Sequence, residues 1–452
     1  MPMEFIVETI NKEIINPSSP TPLSHKNFQL SFLDQIVPPV NLPFIFWYPN
    51  YHSRVDVVAK IEARNQQLKK SLSETLTRFY PFAGRFSRNN DNLIECNNND
   101  QGVVYIETRV DCLLKDILEQ PGGADDESMR KLLPLQMRFS EEGQILLAQV
   151  NVFKCGGMAI GLSLSHKVAD LFTLVLFIKT WAAMTKGILS HEVIPFPDLE
   201  SISSSFPPLD LHVPEMDWTG SNEGVSRRIV FDSSKISMLK AEAASKEVPQ
   251  PTRVEAVTAL LWKSAMAAAA SSRGGLKKQS ALLQWVNLRK RMNPPMPEFS
   301  TGNLISCFAA KTSLDWETEL QGLVKQLRKG MREFSGDFLP EIQESNINAV
   351  SAMHEYVNEV ESLSKDDEVD VYNCSSWCRM EVYESADFGW GKPRWVSGLY
   401  KLITPPNSFL LMESTDGEGI EAWVYLSEPE MAFFECNRDL LAFASVNPSV
   451  KL

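Results

Sequence analysis

Hydrophobic positions along the chain fall into two alternating regimes. Ile145-Leu-Leu-Ala-Gln-Val-Asn-Val-Phe153 and Met158-Ala-Ile-Gly-Leu-Ser-Leu164 alternate or run apolar, which predicts two strands, and Leu171-Phe-Thr-Leu-Val-Leu-Phe-Ile178 predicts a buried helix directly after them. Earlier, Leu68, Leu72, Leu76 and Phe79 recur at helical spacing. A break at Tyr80-Pro-Phe-Ala-Gly-Arg85 follows, and then the strand-like run Gly102-Val-Val-Tyr-Ile-Glu-Thr-Arg-Val110.

The second half repeats the mixture. Arg227-Arg-Ile-Val-Phe231 predicts a strand, and Thr252-Arg-Val-Glu255 has the spacing of a capping box, with Val257, Leu260 and Leu261 continuing the apolar face of its helix. Leu320, Leu323, Val324, Leu327, Met331 and Phe334 mark another helix. Leu282-Leu-Gln-Trp-Val-Asn-Leu288 predicts a buried strand ahead of the basic run Arg289-Lys-Arg291. Phe409-Leu-Leu-Met-Glu413 and Ile420-Glu-Ala-Trp-Val-Tyr-Leu426 predict two strands flanking the turn Asp416-Gly-Glu-Gly419. Between the halves, prolines at 195, 197, 207, 208 and 214 predict an extended crossover. The expected partition is therefore a first α/β domain over 1–190, a linker over 191–225 and a second α/β domain over 226–452.

Composition agrees with that partition, since 452 residues exceed what one core usually supports and 44% of them are hydrophobic. The longest apolar stretch, Leu171 to Ile178, is too short to span a bilayer. An acidic N-terminal run without a basic and then apolar segment gives no secretory signal, so a cytoplasmic location is expected. Seven cysteines form no regular framework, which fits reduced thiols, and Cys374 with Cys378 lacks the second ligand pair a zinc site needs. A net charge of −13 argues against nucleic-acid binding. The acidic run Asp366-Asp-Glu368 reads as a solvated loop.

The candidate chemistry centres on Ser163-Leu-Ser-His-Lys-Val-Ala-Asp170, which sets His166 and Asp170 at a strand-to-helix junction in a chain with only six histidines. An imidazole with an ordinary pKa of about 6.5 suits a general base near neutral pH. Gly161-Leu-Ser-Leu-Ser165 lacks the closing glycine of an esterase elbow, so direct attack by a bound substrate hydroxyl is simpler than a serine nucleophile. Asp170 either orients the imidazole or turns away to pair with an arginine, and spacing does not choose between these. No third ligand makes a metal site of the pair, and neither a phosphate loop nor a dinucleotide fingerprint is present. Ser385-Ala-Asp-Phe-Gly-Trp-Gly-Lys-Pro-Arg394 reads either as a tight turn around a packed tryptophan or as the wall of a site for a phosphorylated cofactor.

His166-x-x-x-Asp170 followed by Asp387-Phe-Gly-Trp-Gly391 resembles the BAHD acyltransferases of plants, which move acyl groups from coenzyme A thioesters to alcohols or amines. The resemblance runs through Pro20-Thr-Pro22, Leu33-Asp-Gln35, Tyr80 to Arg85, Val286 to Pro295, Gly302-Asn303 and Ser376-Trp-Cys-Arg379, with no departure at any of them. Asn-Leu-Arg joined to Arg-Met-Asn-Pro-Pro, with Trp-Cys-Arg ahead of the second motif, is most similar to the vinorine synthase-like branch, whose members mainly acetylate alkaloid alcohols.

That resemblance implies two similar-sized chloramphenicol acetyltransferase-like domains of mixed sheets flanked by helices, joined by a long crossover loop, with a central solvent tunnel. It implies His166 at mid-tunnel, Asp170 turned away onto Arg289, and Asp387, Phe388, Gly389, Trp390 and Gly391 as framework on the cofactor side. It further implies Asn303 donating to the thioester oxygen as charge develops there, and Thr252 and Arg253 near coenzyme A, although helix capping alone accounts for Thr252. The expected protein is a monomeric enzyme with no metal and no permanently bound cofactor. It takes acetyl-CoA, or another acyl-CoA, as co-substrate and acetylates an alcohol in a ternary complex without a covalent intermediate. An alkaloid acceptor is preferred by branch, with a terpenoid or phenolic alcohol as the alternative. Two rivals remain: a thioester hydrolase, which would consume acetyl-CoA without an acceptor, and a non-catalytic binding protein of the same fold.

Overall fold

The computed structural model describes residues 4–50, 57–90, 92–96, 102–119, 126–134, 143–188, 196–209, 224–312, 319–344, 351, 358, 362–363, 366–399 and 404–451. Most of the proposed 191–225 crossover lies outside the described residues. Its described part contains a short helix, Ser201–Ser205, and a bridge from Asp198 to Ser300.

The strands are β1 (Val7–Ile15), β2 (Asn27–Gln29), β3 (Asn41–Tyr48), β4 (Arg85–Phe86), β5 (Leu93–Glu95), β6 (Val103–Val110), β7 (Leu146–Phe153), β8 (Met158–Ser165), β9 (Gly224–Phe231), β10 (Gln279–Asn287), β11 (Ile305–Thr312), β12 (Val369–Ser376), β13 (Trp395–Ser397), β14 (Ser408–Glu413), β15 (Ile420–Ser427) and β16 (Ser445–Val446). Among the described residues they form a six-stranded sheet in the order β1-β6-β7-β8-β3-β13, a seven-stranded sheet in the order β11-β10-β12-β14-β15-β9-β16, and a small sheet β2-β5-β4. Both large sheets are mixed: β6 and β7 run parallel in the first, as do β10, β12 and β14 in the second.

Alternation explains the first sheet. Leu42, Phe44, Phe46 and Tyr48 of β3 enter one core while Ile45 and Trp47 enter another on the opposite face, so the strand is covered on both sides. β8 is buried along its whole length, as expected for a strand between β7 and β3. Gly161 is required there, because a Cβ would lie 2.4 Å from the Leu132 carbonyl oxygen. The helices Val57–Arg78 and Leu171–Thr185 pack over this sheet, with Trp181 Nε1 donating to the Leu68 carbonyl at 3.1 Å. Over the second sheet lies the helix Arg253–Ser272, opened by the Thr252 and Glu255 capping box that the sequence predicts.

The two halves interlock. β13, from the second half of the chain, pairs antiparallel with β3 and closes the first sheet. Trp395 stacks between Trp47 and Trp423 at 5.8 and 5.9 Å, and Trp47 Nε1 donates to Ser397 Oγ. In exchange, Phe32 and Leu33 of the short helix Phe32–Gln35 are buried in the core of the second half. No helix among the described residues is long and apolar enough to cross a membrane.

Candidate active site

β8 delivers the chain to its end at Ser165, and a tight turn follows. The His166 N–H donates to the Val40 carbonyl at 2.8 Å, and Val168 and Ala169 N–H groups donate back to the carbonyls of Ser165 and His166. Asp170 then caps the helix Leu171–Thr185 by accepting from Thr173 N–H at 3.0 Å. His166 is thus held between a buried strand and a capped helix.

The imidazole lines a cavity of about 110 Å³ between the halves. Leu42, His166 and Phe172 line it from the first half, and Trp285, Trp377 and Phe409 from the second. Asn287, Asn373, Ser375, Ser376, Thr404 and Ser408 add polar groups to the wall. Enclosure by protein disfavours the imidazolium and holds the His166 pKa below 6.5, against a smaller opposing pull from the Asp170 charge. Nδ1 of His166 is buried without a hydrogen-bond partner. Ser163 and Ser165 lie inside the strand, buried, and do not line the cavity. A broader depression beside β11, lined by Lys311, Lys329, Glu333 and Asp337 among others, contains none of the predicted site residues.

Asp170 does not reach the imidazole. Its carboxylate takes a bidentate pair from Arg289, at 2.6 Å from NH1 to Oδ2 and 3.1 Å from NH2 to Oδ1, together with the Thr173 hydroxyl and the Leu304 N–H. Arg289 also donates to the carbonyls of Ser300 and Gly302, and its guanidinium lies 4.4 Å over the Phe172 ring. Both charges are almost fully buried, and every donor and acceptor direction is used, which is the condition under which a buried ion pair is tolerated.

Asn303 occupies a different place from the one expected of an oxyanion donor. It is fully buried and is not part of the cavity wall. Its Nδ2 group has two hydrogens, and both are used: one on Asp34 Oδ1 at 2.9 Å and one on the His166 carbonyl at 2.7 Å. Nothing remains to donate to a thioester, and the geometry instead gives Asn303 a hold on the His166 main chain. Asp34 is the site residue the sequence reading missed; it fell within the quoted Leu33-Asp-Gln35, and the Ser31-x-x-Asp34 spacing of a capping box was the available signal.

The remaining candidates lie away from the cavity wall. Asp387 Oδ1 accepts from the N–H groups of Gly389 and Gly391 at 3.0 Å each, and both glycines have positive φ, near 100°, which explains the residue type. Phe388 packs edge-on against Trp181 at 4.9 Å and stacks on Trp390, which in turn lies 5.1 Å beneath the Arg64 guanidinium. This loop is therefore packed against first-half helices. Thr252 caps its helix, and Arg253 is committed to Glu413 at 2.6 Å and to the Gly417 and Glu418 carbonyls.

A family model described as the Transferase family matches residues 5–441. Akuammiline synthase 1 of Alstonia scholaris is 38% identical over 444 residues, covering 98% of this chain and 99% of that one. Vinorine synthase of Rauvolfia serpentina is 33% identical over 434 residues, covering 94% and 95%. A crystal structure of vinorine synthase superposes with a TM-score of 0.81, covering 99% of this chain and 100% of that chain at 33% identity. A limonoid 7-O-acetyltransferase of Citrus sinensis is 36% identical over 469 residues, covering 98% of each chain. With that match along nearly its whole length, and with the fold it shares with vinorine synthase, the chain belongs to the Transferase family, the BAHD acyltransferases, and is a transferase enzyme.

Proposed function

We propose that this enzyme transfers an acetyl group from acetyl-CoA to a hydroxyl of a plant specialised metabolite, with an alkaloid acceptor preferred on branch resemblance. Donor and acceptor bind together in the cavity between the halves, without a covalent intermediate. His166 takes the hydroxyl proton as the oxygen attacks the thioester carbonyl, a tetrahedral oxyanion forms, and the imidazolium returns the proton to the leaving thiolate. The observation that carries this reading is the position of the imidazole: a histidine kept neutral by its surroundings, at the seam where walls from both halves meet. Asp170 and Arg289 keep the loop in register, and Asp387 to Gly391 serve as framework.

The test is radiolabelled acetyl transfer, using acceptors found by incubating the purified protein and a plant metabolite extract with acetyl-, malonyl-, benzoyl- or hydroxycinnamoyl-CoA and reading acyl gain by mass spectrometry. His166→Ala is expected to lower the rate by roughly 10² to 10⁴ while the protein stays folded. Wild-type transfer by that variant would refute the base assignment, and gain of a group other than acetyl would correct the donor.

A further inference from the structure

The loop that carries His166 is held on one side by Asp170 and Arg289, which are part of the family motif. On its other side stands a second buried carboxylate that takes no part in the proposed proton transfer. Asp34 is only 3% exposed, and among the described residues no cation pairs with it. Four neutral donors satisfy it instead. Oδ1 accepts from the Asn303 main-chain N–H at 2.7 Å and from Asn303 Nδ2 at 2.9 Å, and Oδ2 accepts from the Ser31 N–H at 2.9 Å and the Ser31 hydroxyl at 2.6 Å. A carboxylate in an apolar surrounding without a counter-ion is costly, so an arrangement of this kind persists where it fixes something.

What it fixes is one peptide segment. Residues 302–304 run between the two carboxylates: Asn303 is bound to Asp34 from one side, and the Leu304 N–H is bound to Asp170 from the other. Gly302 has φ +119°, a conformation that presents both its N–H and its carbonyl to the Thr173 and Arg289 side. Asn303 Nδ2 then passes the constraint on by donating to the His166 carbonyl. Asp34 is itself rigidly mounted, because Phe32 and Leu33 beside it are buried in the core of the second half and the Phe32 N–H donates to the Phe206 carbonyl.

We infer that Asp34 is a positioning residue for His166, acting through Asn303: its carboxylate selects the Asn303 rotamer whose amide holds the main chain at the base. The charge matters as well as the shape. An acceptor-only group is needed opposite the two Asn303 N–H groups, and a carboxamide in the wrong flip would set donor against donor. This inference rests on His166 being the general base, and the experiments separate the two.

Asp34→Ala, Asn303→Ala and the double variant are compared with the wild-type full chain. The first probe is diethyl pyrocarbonate, which modifies neutral imidazole, with the rate at the His166 peptide followed by mass spectrometry across pH. The second is acetyl transfer from acetyl-CoA to the acceptor found in the extract screen. Asn303→Ala is expected to shift the His166 modification midpoint downward, because the Asn303 side chain favours the protonated ring, and both single variants are expected to lower kcat about tenfold or more, with KM for acetyl-CoA unchanged. The double variant is expected to match the singles, because the two residues act as one unit. A merely structural role would lower the melting temperature and leave the His166 midpoint alone. If Asp34→Ala does not fold, Asn303→Ala, which leaves Asp34 and its helix in place, carries the test. A wild-type midpoint and kcat in Asn303→Ala, or additive losses in the double variant, would overturn the inference. Should His166→Ala itself retain full transfer, the base assignment falls first.

Discussion

Asp170 places its oxygens on Arg289, Thr173 and Leu304 and leaves none for the imidazole. Its loss is therefore first a loss of structure. Arg289→Ala is expected to cost about 3–5 kcal/mol in denaturant unfolding, because it strands a buried carboxylate, and Arg289→Lys is expected to recover little, since one ammonium cannot reproduce the two-pronged contact. His166 makes a separate statement about pH. Its folded pKa lies below 6.5, so an unfolded chain binds the proton first as pH falls. Stability from this group is full above pH 6.5 and declines as pH drops below it, and His166→Ala should remove that part of the acid sensitivity in unfolding curves. The acid limb of kcat/KM should likewise lie below 6.5, because the neutral base persists there; a limb at or above 6.5 would contradict enclosure of the ring. At this scale the sequence exposed His166 and Asp170, since their motif is local. Asp34 and Asn303 are 269 residues apart and meet only in the fold, so no spacing rule could pair them.

Elements were the most legible level. Leu68, Leu72 and Leu76 lie on the helix Val57–Arg78 and Phe79 directly follows it, and all four are fully buried. The Thr252 capping box is formed with both of its reciprocal bonds. Thr252→Ala should cost about 1 kcal/mol in thermal or denaturant unfolding and leave KM for acetyl-CoA unchanged; a raised KM with unchanged stability would move this residue to the donor site. Gly161 is the stricter position. Gly161→Ala drives a methyl into the Leu132 main chain, and because β8 leads directly to His166, both stability and kcat should fall together. Short elements were read less well: β13 is three residues long, too short for its alternation to be visible, yet its partner strand depends on it.

For the molecule as a whole, hydrophobic patterning correctly indicated two α/β halves and did not reveal that they exchange parts. Phe32 and Leu33 sit in the second core, while Trp377, Phe388 and Val396 sit in the first. Such exchanges are invisible to periodicity, which reports that a side is buried and not what buries it. Trp395→Ala should therefore destabilise both halves, by about 3–5 kcal/mol, with fluorescence and circular dichroism losing signal in one coincident transition. Two separated transitions would mean that the exchanged segments bind only weakly.

Closure of the first sheet by β13 also bears on the order in which a ribosome can finish this enzyme. The nascent amino-terminal half emerges with one flank of β3 open, and the strip that covers it is still untranslated until residue 397 has been added. During that interval the Trp47 strand presents unpaired amides to any neighbour, so a fragment ending at the crossover should be captured by chaperones or aggregate, and adding the later segment as a separate peptide should rescue it only if it includes Trp395–Ser397.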